Sequence, residues 1–246
     1  MAQNVSQNPI IVEHRGSITW LRLNRPDRLN AVNAAVIEGL IGGLIAARDR
    51  GSDLVVFAGE GRAFSAGFDL SGLDQQSDAD LLYRFVRVEQ LLQMIYQLPM
   101  TSVALVQGRC FGAAADIVAS CRKRIATPDA NFRMPGLQFG IVLGTRRLAR
   151  LIGADAAFDL LETSRIFTAD DALETGFLTD IQPAEDWASH IDNLAIDAGN
   201  LGDDAKTALL AATRDDRGLD HDLAALVRSA ATPGLADRIR AFVATE

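Results

Sequence analysis

Apolar and polar positions along the chain alternate between short buried runs and helical stripes. Residues 10–13 and 18–23 are rich in apolar and β-branched side chains and predict two strands joined by a turn at 14–16. Apolar residues between positions 36 and 45 recur three to four apart, which predicts a helix capped by Asn33. A buried strand at 54–57 and a glycine-rich loop at 59–67 follow. Strand and helix therefore alternate from the start.

The alternation continues to about residue 182 and then stops. The pattern predicts helices at 81–98, 112–120 and 146–161, the last interrupted at Gly153, and strands at 102–106 and 125–126. Thr168 is predicted to cap another helix, which Gly176 ends. Only helical patterns remain beyond Pro183. The fold class predicted is α/β, with a disordered N-terminus at 1–9, a core at 10–183 and a C-terminal helical region at 184–246.

Composition and charge exclude some classes of protein and partner. The chain has 246 residues, 48% hydrophobic and 23% charged, which is typical of a soluble globular protein. A net charge of -8 argues against nucleic acid or an anionic membrane as a partner. No apolar run is long enough to span a membrane, and the polar N-terminus does not resemble a signal peptide. We therefore expect a cytoplasmic protein.

The cysteines and histidines predict no metal site. Cys110 and Cys121 lie in apolar segments and are expected to be buried, reduced thiols. The three histidines are far apart in sequence, and none has the spacing of a metal ligand pair.

The glycine-rich loop at 59–67 does not match any of three familiar sequence motifs. It lacks the lysine of a phosphate-binding P-loop, and Phe64 replaces the last glycine of a dinucleotide fingerprint. Ala63 stands where a nucleophile elbow around Ser65 requires glycine. Ser65 is therefore not expected to act as a hydrolase nucleophile.

Two loops, 65–69 and 108–116, each follow a predicted buried strand and contain small residues. Such residues allow backbone N–H groups to approach a ligand closely, and two of them aimed at one point form an oxyanion hole. Tight turns and close helix packing are the alternative interpretation. Asp116 adjoins alanine, isoleucine and valine, so desolvation is expected to raise its pKa and suit it to proton transfer. The alternative for Asp116 is stabilisation of a helix N-terminus.

Several segments, in order, resemble the crotonase, or enoyl-CoA hydratase/isomerase, superfamily. They are LNRPDRLNA at 23–31, GRAFSAGFDL at 61–70, VQG at 106–108 continuing to Asp116, IATPDANF at 125–132, MP at 134–135, LARLIG at 148–153 and FTADDALETGFL at 167–178. The resemblance extends over about residues 10–183, with a weaker match at 241–242.

The resemblance implies a crotonase-like spiral of strand–strand–helix turns with a C-terminal helical oligomerisation region. It implies a homotrimer or a hexamer built as a dimer of trimers. The substrate would be an acyl-CoA thioester, with coenzyme A as part of the substrate and no separately bound cofactor. The catalytic residues would be Asp116 as acid/base, with the backbone N–H groups of Phe68 and Ala113 as oxyanion donors. The substrate-binding residues implied are Leu29, Ala31, Ala66, Gly67, Asp69, Leu70, Gly112, Pro135, Gly136 and Gly140.

The chain departs from the family pattern in places that matter for chemistry. Gly136 follows Pro135 where two-glutamate hydratases carry their second carboxylate, and the loop at 140–145 looks shortened. Ser71 and Thr245 stand at positions where the family often uses lysine for CoA phosphates. Candidate replacements for these lysines are Arg28, Arg62 and Arg109.

These departures favour an acyl-CoA enzyme with an enolate-type intermediate over a standard two-glutamate hydratase. Two alternatives stay open: a crotonase-like hydrolase of C–C or thioester bonds, and a non-catalytic acyl-CoA-binding homologue. Glu89 lies on the predicted helix 81–98, which in this family can border the acyl pocket, and we expect it on a solvated face. Arg146 and Arg147 are expected to pair with surface acids; the alternatives are a substrate carboxylate or the vacated position near Gly136.

Overall fold

The computed structural model describes residues 8–213 and 218–245. Its strands are β1 (Ile10–Arg15), β2 (Ile18–Leu23), β3 (Leu54–Gly59), β4 (Thr101–Val106), β5 (Arg109–Phe111), β6 (Lys123–Ala126), β7 (Asn131–Arg133), β8 (Phe167–Thr168) and β9 (Asp180–Ile181). Its helices are α1 (Ala34–Asp49), α2 (Asp78–Tyr96), α3 (Ala113–Ser120), α4 (Thr145–Ile152), α5 (Ala154–Thr163), α6 (Ala169–Glu174), α7 (Trp187–Gly199), α8 (Asp203–Thr213), α9 (Leu219–Ala230) and α10 (Leu235–Val243).

The larger sheet has the strand order β1-β2-β3-β4-β6-β9. The β1–β2 pair is antiparallel, and every later pair in this sheet is parallel. The parallel strands β3 and β4 are buried along almost their whole length, as expected for strands covered on both faces. Because β3 and β4 point the same way, the loops that follow them emerge at the same edge of the sheet.

A second, three-stranded sheet, β5-β7-β8, stands beyond that edge. The sequence pattern did not predict it. Its strands have two or three residues each, too short to show an alternating pattern of side chains. A cluster of Phe132, Phe167 and Phe177, with ring centroids 5.2–5.4 Å apart, holds it against the rest of the core.

Helices cover both faces of the larger sheet. The main apolar core lies between the sheet and α1, α2 and α3 and includes Leu40, Phe57 and Leu91. A smaller core on the opposite face joins Trp20 and Val56 to α7. The mixed α/β architecture agrees with the prediction.

Helix caps explain most of the boundaries that the sequence predicted well. The Asn33 side chain accepts the Val36 N–H and begins α1, as predicted. Thr168 begins α6 through a capping box with Asp171. The helix predicted at 81–98 instead begins at Asp78, because Ser77 and Asp80 form another capping box.

The C-terminal helices α9 and α10 fold back over α2. Leu226, Leu235 and Ile239 form a third apolar cluster with Leu81 and Phe85 of α2. Their assembly into trimers stays a prediction. Most of the predicted disordered segment 1–9 lies outside the described residues, as do residues 214–217. None of the described helices is both long and apolar enough to cross a membrane.

Candidate active site

The two loops singled out by the sequence lie side by side and are joined by backbone hydrogen bonds. The Ser65 N–H donates to the Arg109 carbonyl at 3.1 Å, and the Phe111 N–H donates to the Ser65 carbonyl at 3.1 Å. Gly67 has a φ of +88°, and a Cβ built on it would lie 2.2 Å from the Phe111 carbonyl oxygen and 3.5 Å from the Ala113 nitrogen. Only glycine permits this approach, which places the 67–68 peptide beside the start of α3.

Two backbone N–H groups at this junction are left without a protein acceptor. Around them, the Gly67, Asp69 and Gly112 N–H groups donate to the Ser65 Oγ, the Val32 carbonyl and the Arg133 carbonyl. Within residues 8–213 and 218–245, the Phe68 and Ala113 N–H groups have no such partner. Ala113 is the first residue of α3, where helix geometry leaves N–H groups unpaired. Both residues line one cavity, as an oxyanion hole requires.

Asp116 lies one turn along α3 and faces the same cavity. The residue is only 4% exposed, and its Oδ1 has no hydrogen-bond partner in the described part of the chain. Burial raises the pKa of Asp116 well above its usual value; the Arg147 charge lowers it and the Glu89 charge raises it further. A carboxyl in this environment binds protons strongly enough to act as a base toward carbon acids.

The cavity has a volume of about 160 Å³ and a mostly apolar wall. The Phe68 ring stacks on Phe85 with centroids 4.2 Å apart, and Phe139 packs on Phe242 of α10 at 5.2 Å. Among the described residues that line the cavity, Asp116 is the only carboxylate. The wall is formed by Ala66, Phe68, Leu70, Phe85, Phe111, Gly112, Ala113, Asp116, Arg133, Met134, Pro135, Gly136, Leu137, Phe139, Ile141, Leu143, Thr145, Leu161 and Phe242.

The structure brings together part of the predicted substrate-binding set. Besides the three catalytic candidates, it places five of those residues on the cavity wall: Ala66, Leu70, Gly112, Pro135 and Gly136. No acidic side chain follows Pro135, as the sequence already showed.

Five other predicted residues do not line the cavity: Leu29, Ala31, Gly67, Asp69 and Gly140. The Leu29 and Ala31 carbonyls instead support the site, by accepting from the Ala66 N–H at 2.8 Å and from the Arg25 side chain at 2.5 Å. Asp69 is held by Arg25 and by the Ser71 N–H, which indicates a loop-shaping role. Gly140 packs beside the Arg238 side chain.

Glu89 and Arg147 contradict the expectation of solvated or surface positions. Glu89 on α2 and Arg147 on α4 form a buried bidentate ion pair, with side chains 1% and 2% exposed. A second arginine, Arg146, forms a bidentate pair with Asp222 of α9, at 2.8 and 3.0 Å. Arg147 also donates to Asp222 at 3.3 Å. The helical spacing of Glu89 places it on the apolar face of α2. We expected a solvated position because Glu89 is charged, although this spacing indicated burial.

Sequence reasoning missed most of the aromatic wall. Phe85 belongs to the apolar stripe of α2, which identifies it as buried but not as part of a cavity. Phe139 lies in a short 3₁₀ turn, Gly136–Phe139, and Phe242 comes from the far end of the chain. The weak family match at 241–242 was the available signal for Phe242.

The described residues contain no cluster of three or more side chains suited to holding a metal ion. What the site offers instead is a pair of free N–H donors and a buried carboxyl beside an apolar cavity.

Comparison with known proteins identifies the family of the chain. The sequence profile of the family described as enoyl-CoA hydratase/isomerase matches residues 13–216. The probable enoyl-CoA hydratase echA6 of Mycobacterium tuberculosis is 32% identical over 185 residues, which cover 73% of this chain and 74% of the relative. A short-chain-enoyl-CoA hydratase of Clostridium acetobutylicum is 29% identical over 185 residues, covering 72% and 70%.

Solved structures extend the likeness to nearly the whole chain. A crystal structure of a provisionally named enoyl-CoA hydratase/isomerase from Bordetella parapertussis has a TM-score of 0.94 and 46% identity, covering 96% of this chain and 98% of its own. An enoyl-CoA hydratase/isomerase from Xanthobacter autotrophicus Py2 has a TM-score of 0.85 and 25% identity, covering 96% and 92%. The chain belongs to the enoyl-CoA hydratase/isomerase, or crotonase, family.

Proposed function

We propose that the chain catalyses proton transfer at the carbon next to the thioester carbonyl of an acyl-CoA, through an enolate. The observation that carries the proposal is the single carboxyl, Asp116, in an apolar cavity that also contains the free N–H groups of Phe68 and Ala113. The thioester carbonyl oxygen would accept both N–H groups, which stabilises negative charge as it develops there.

The reaction then needs only one acid/base group. The Asp116 carboxylate takes a proton from the α-carbon, and the electron pair of the broken C–H bond moves onto the carbonyl oxygen. With a 3-enoyl thioester the result is a dienolate. The protonated Asp116 returns the proton at the γ-carbon, which moves the double bond to the 2-position without adding water.

Hydration of a 2-enoyl thioester requires more acid/base groups than isomerisation does. It requires a base for the attacking water and an acid for the α-carbon, and two carboxyl groups usually share this work. Among the described cavity residues only Asp116 is acidic, and Gly136 carries no side chain. The geometry therefore favours double-bond isomerisation or another enolate reaction over water addition.

A direct test is turnover of trans-3-hexenoyl-CoA and trans-2-hexenoyl-CoA. The products are separated by liquid chromatography and identified by mass spectrometry. We expect the 3-enoyl thioester to become the 2-enoyl thioester, with slower gain of water from either substrate. Asp116→Asn should lower kcat/KM at least about 100-fold. Asp159→Asn, on the exposed face of α5, is the matched control and should leave turnover unchanged.

Two results would overturn the proposal: undiminished turnover in Asp116→Asn, or water addition faster than isomerisation. Calorimetric titration with acetyl-CoA, with free CoA as the control, tests the non-catalytic alternative. Binding of the thioester without turnover of any acyl-CoA would favour a non-catalytic acyl-CoA-binding protein.

A further inference from the structure

A buried group of charges lies near Asp116, at the end of α4 that the Asp116 carboxyl contacts. Glu89 engages both Nη atoms of Arg147, and Asp222 accepts from Arg147 and from Arg146. The Gln93 side chain donates to the Glu89 Oε1 at 2.9 Å and to the Leu219 carbonyl at 3.0 Å. These contacts connect α2, α4 and α9.

Among the described residues, the acids that pair with Arg146 and Arg147 are Asp222 and Glu89. Glu89 and Asp222 together carry the same charge as Arg146 and Arg147, with opposite sign. Ionised Asp116 would therefore add one negative charge that the buried group does not compensate. The Asp116 Oδ1 and the Arg147 Nε are both buried without a hydrogen-bond partner in the described residues.

The backbone brings Asp116 close to this group. A Cβ built on Gly144, the N-cap of α4, would lie 1.8 Å from the Asp116 Oδ1, so the carboxyl rests on the end of α4. Arg147 is the third residue of the same helix. Contact of the carboxyl with this helix end places the Arg147 and Glu89 charges within electrostatic reach.

Within residues 8–213 and 218–245, few ionisable groups face Asp116. They are Glu89 from α2, Arg147 from α4 and Cys110 from β5, with Arg133 on the wall of the same cavity. Burial, together with the nearby Asp116 charge, raises the pKa of the Cys110 thiol well above its usual value, so this thiol is neutral. Apart from burial, which has the largest effect, the Arg147 charge lowers the pKa of Asp116 and the Glu89 charge raises it.

We propose that Glu89 is a positioning residue for proton transfer. By binding the guanidinium of Arg147, Glu89 weakens the effect of that positive charge on Asp116, so that Asp116 can hold the proton that it removes. This inference rests on the proposed role of Asp116. Its consequence is specific, because a purely structural ion pair would support the fold without changing the titration of another carboxyl.

The test follows the titration of Asp116 itself and needs no substrate. Protein labelled with 13C at the aspartate carboxyl carbons is titrated by NMR, and the Asp116 signal is assigned by its absence in Asp116→Asn. Glu89→Gln keeps the side-chain shape and removes the negative charge. We expect its Asp116 midpoint to fall by about one pH unit or more, a tenfold rise in the ionised fraction below the midpoint.

An exposed ion pair between α1 and α2 provides a control. Glu38 forms a bidentate pair with Arg87 of α2, and the Glu38 side chain is 56% exposed. Glu38→Gln therefore breaks a comparable ion pair without approaching Asp116, and should leave the midpoint unchanged. An Asp116 midpoint equal in wild type and Glu89→Gln would overturn the inference.

A second variant covers the case in which Glu89→Gln does not fold. The double substitution Glu89→Gln with Arg147→Met removes both charges together, a change that buried ion pairs often tolerate. In this double variant, the Asp116 titration midpoint should lie closer to the wild-type midpoint than it does in a folded variant that keeps Arg147 but lacks the Glu89 charge. A midpoint lowered by more than one pH unit would contradict the inference. Loss of turnover in Asp116→Asn tests the proposed function separately, so the two failures are distinguishable.

Discussion

At the scale of single residues, the site depends on contacts that permit no larger side chain and on one carboxyl held out of water. Gly67 allows the two loops to meet, and Gly144 leaves room for the Asp116 carboxyl. Asp116 contributes little to the stability of the fold, because its Oδ1 makes no hydrogen bond within the described chain. A residue retained at such a cost to stability is typical of function.

The first prediction concerns the pH dependence of stability. The pKa of Asp116 is raised in the folded state, so ionisation costs folding free energy as pH rises from about 4 through the folded-state pKa. Asp116→Asn should therefore unfold at a higher temperature than wild type at pH 7, by about 2–4 °C for each kcal/mol gained. The gain should shrink as the pH approaches 4. Thermal melts between pH 4 and pH 8 check this, and a gain that does not vary with pH would contradict it.

A second prediction at this scale concerns the loop junction. Gly67→Ala places a methyl group against the Phe111 carbonyl at a φ of +88°, so we expect a loss of about 2–4 kcal/mol of stability. Turnover should fall more than stability alone explains, since the Phe68 N–H must move. Gly72→Ala is the control, because Gly72 also has a positive φ but no atom near its Cβ position. Equal effects of the two substitutions on turnover would contradict the assigned donor.

At the scale of elements, α2 and α10 connect the cavity to the C-terminal helices. Asp78 at the start of α2 accepts the backbone N–H groups of Gly234 and Ala236 and so fixes the N-terminus of α10. Helix α10 carries Phe242 into the cavity wall. The position of one cavity wall therefore depends on an interaction far from the chemistry.

This link predicts a separation of binding from catalysis. Asp78→Ala should raise KM about fivefold, because α10 loses a cap, and should leave kcat within about twofold. Asp155→Ala, in the first turn of α5, is a comparable acidic substitution away from the cavity. Steady-state kinetics with the same acyl-CoA measures both variants. A fall in kcat with unchanged KM would contradict this role for α10.

The sequence predicted the elements with long periodic patterns or clear caps, and failed where contacts are tertiary. Asn33 and Thr168 mark helix starts by local chemistry, so those helices could be predicted. The three short strands of the second sheet and the partner of Glu89 depend on pairing between distant segments. The loops and Asp116 could be proposed as a site from their residue types, but the aromatic wall could not, because its members come from separate elements.

At the scale of the whole molecule, the cavity wall joins residues that are far apart in sequence, from Ala66 to Phe242 of α10. Large apolar side chains remain exposed elsewhere, notably Phe158 at 67% and Ile166 at 56%. Exposed apolar residues mark a site of association only where they form a contiguous patch, so Phe158 is a residue on which the predicted assembly can be tested.

The family resemblance predicts the state of association. We expect sedimentation equilibrium to give a mass near three or six times the chain mass of 26.4 kDa. Substitution of Phe158 by serine should weaken the assembly if that surface is part of the contact. A mass of one chain at micromolar protein concentration would contradict the predicted trimer.

The central claim is that Asp116 and the two N–H donors generate an enolate from an acyl-CoA. Exchange of the α-hydrogen tests this claim whatever the natural acyl group is, because every such thioester with an α-hydrogen can form an enolate. Butyryl-CoA is incubated with the protein in D2O, and deuterium at the α-carbon is measured by mass spectrometry and NMR. We predict incorporation with wild type and at least about 100-fold slower incorporation with Asp116→Asn. Binding of butyryl-CoA with no exchange, or equal exchange by both proteins, would contradict the claim.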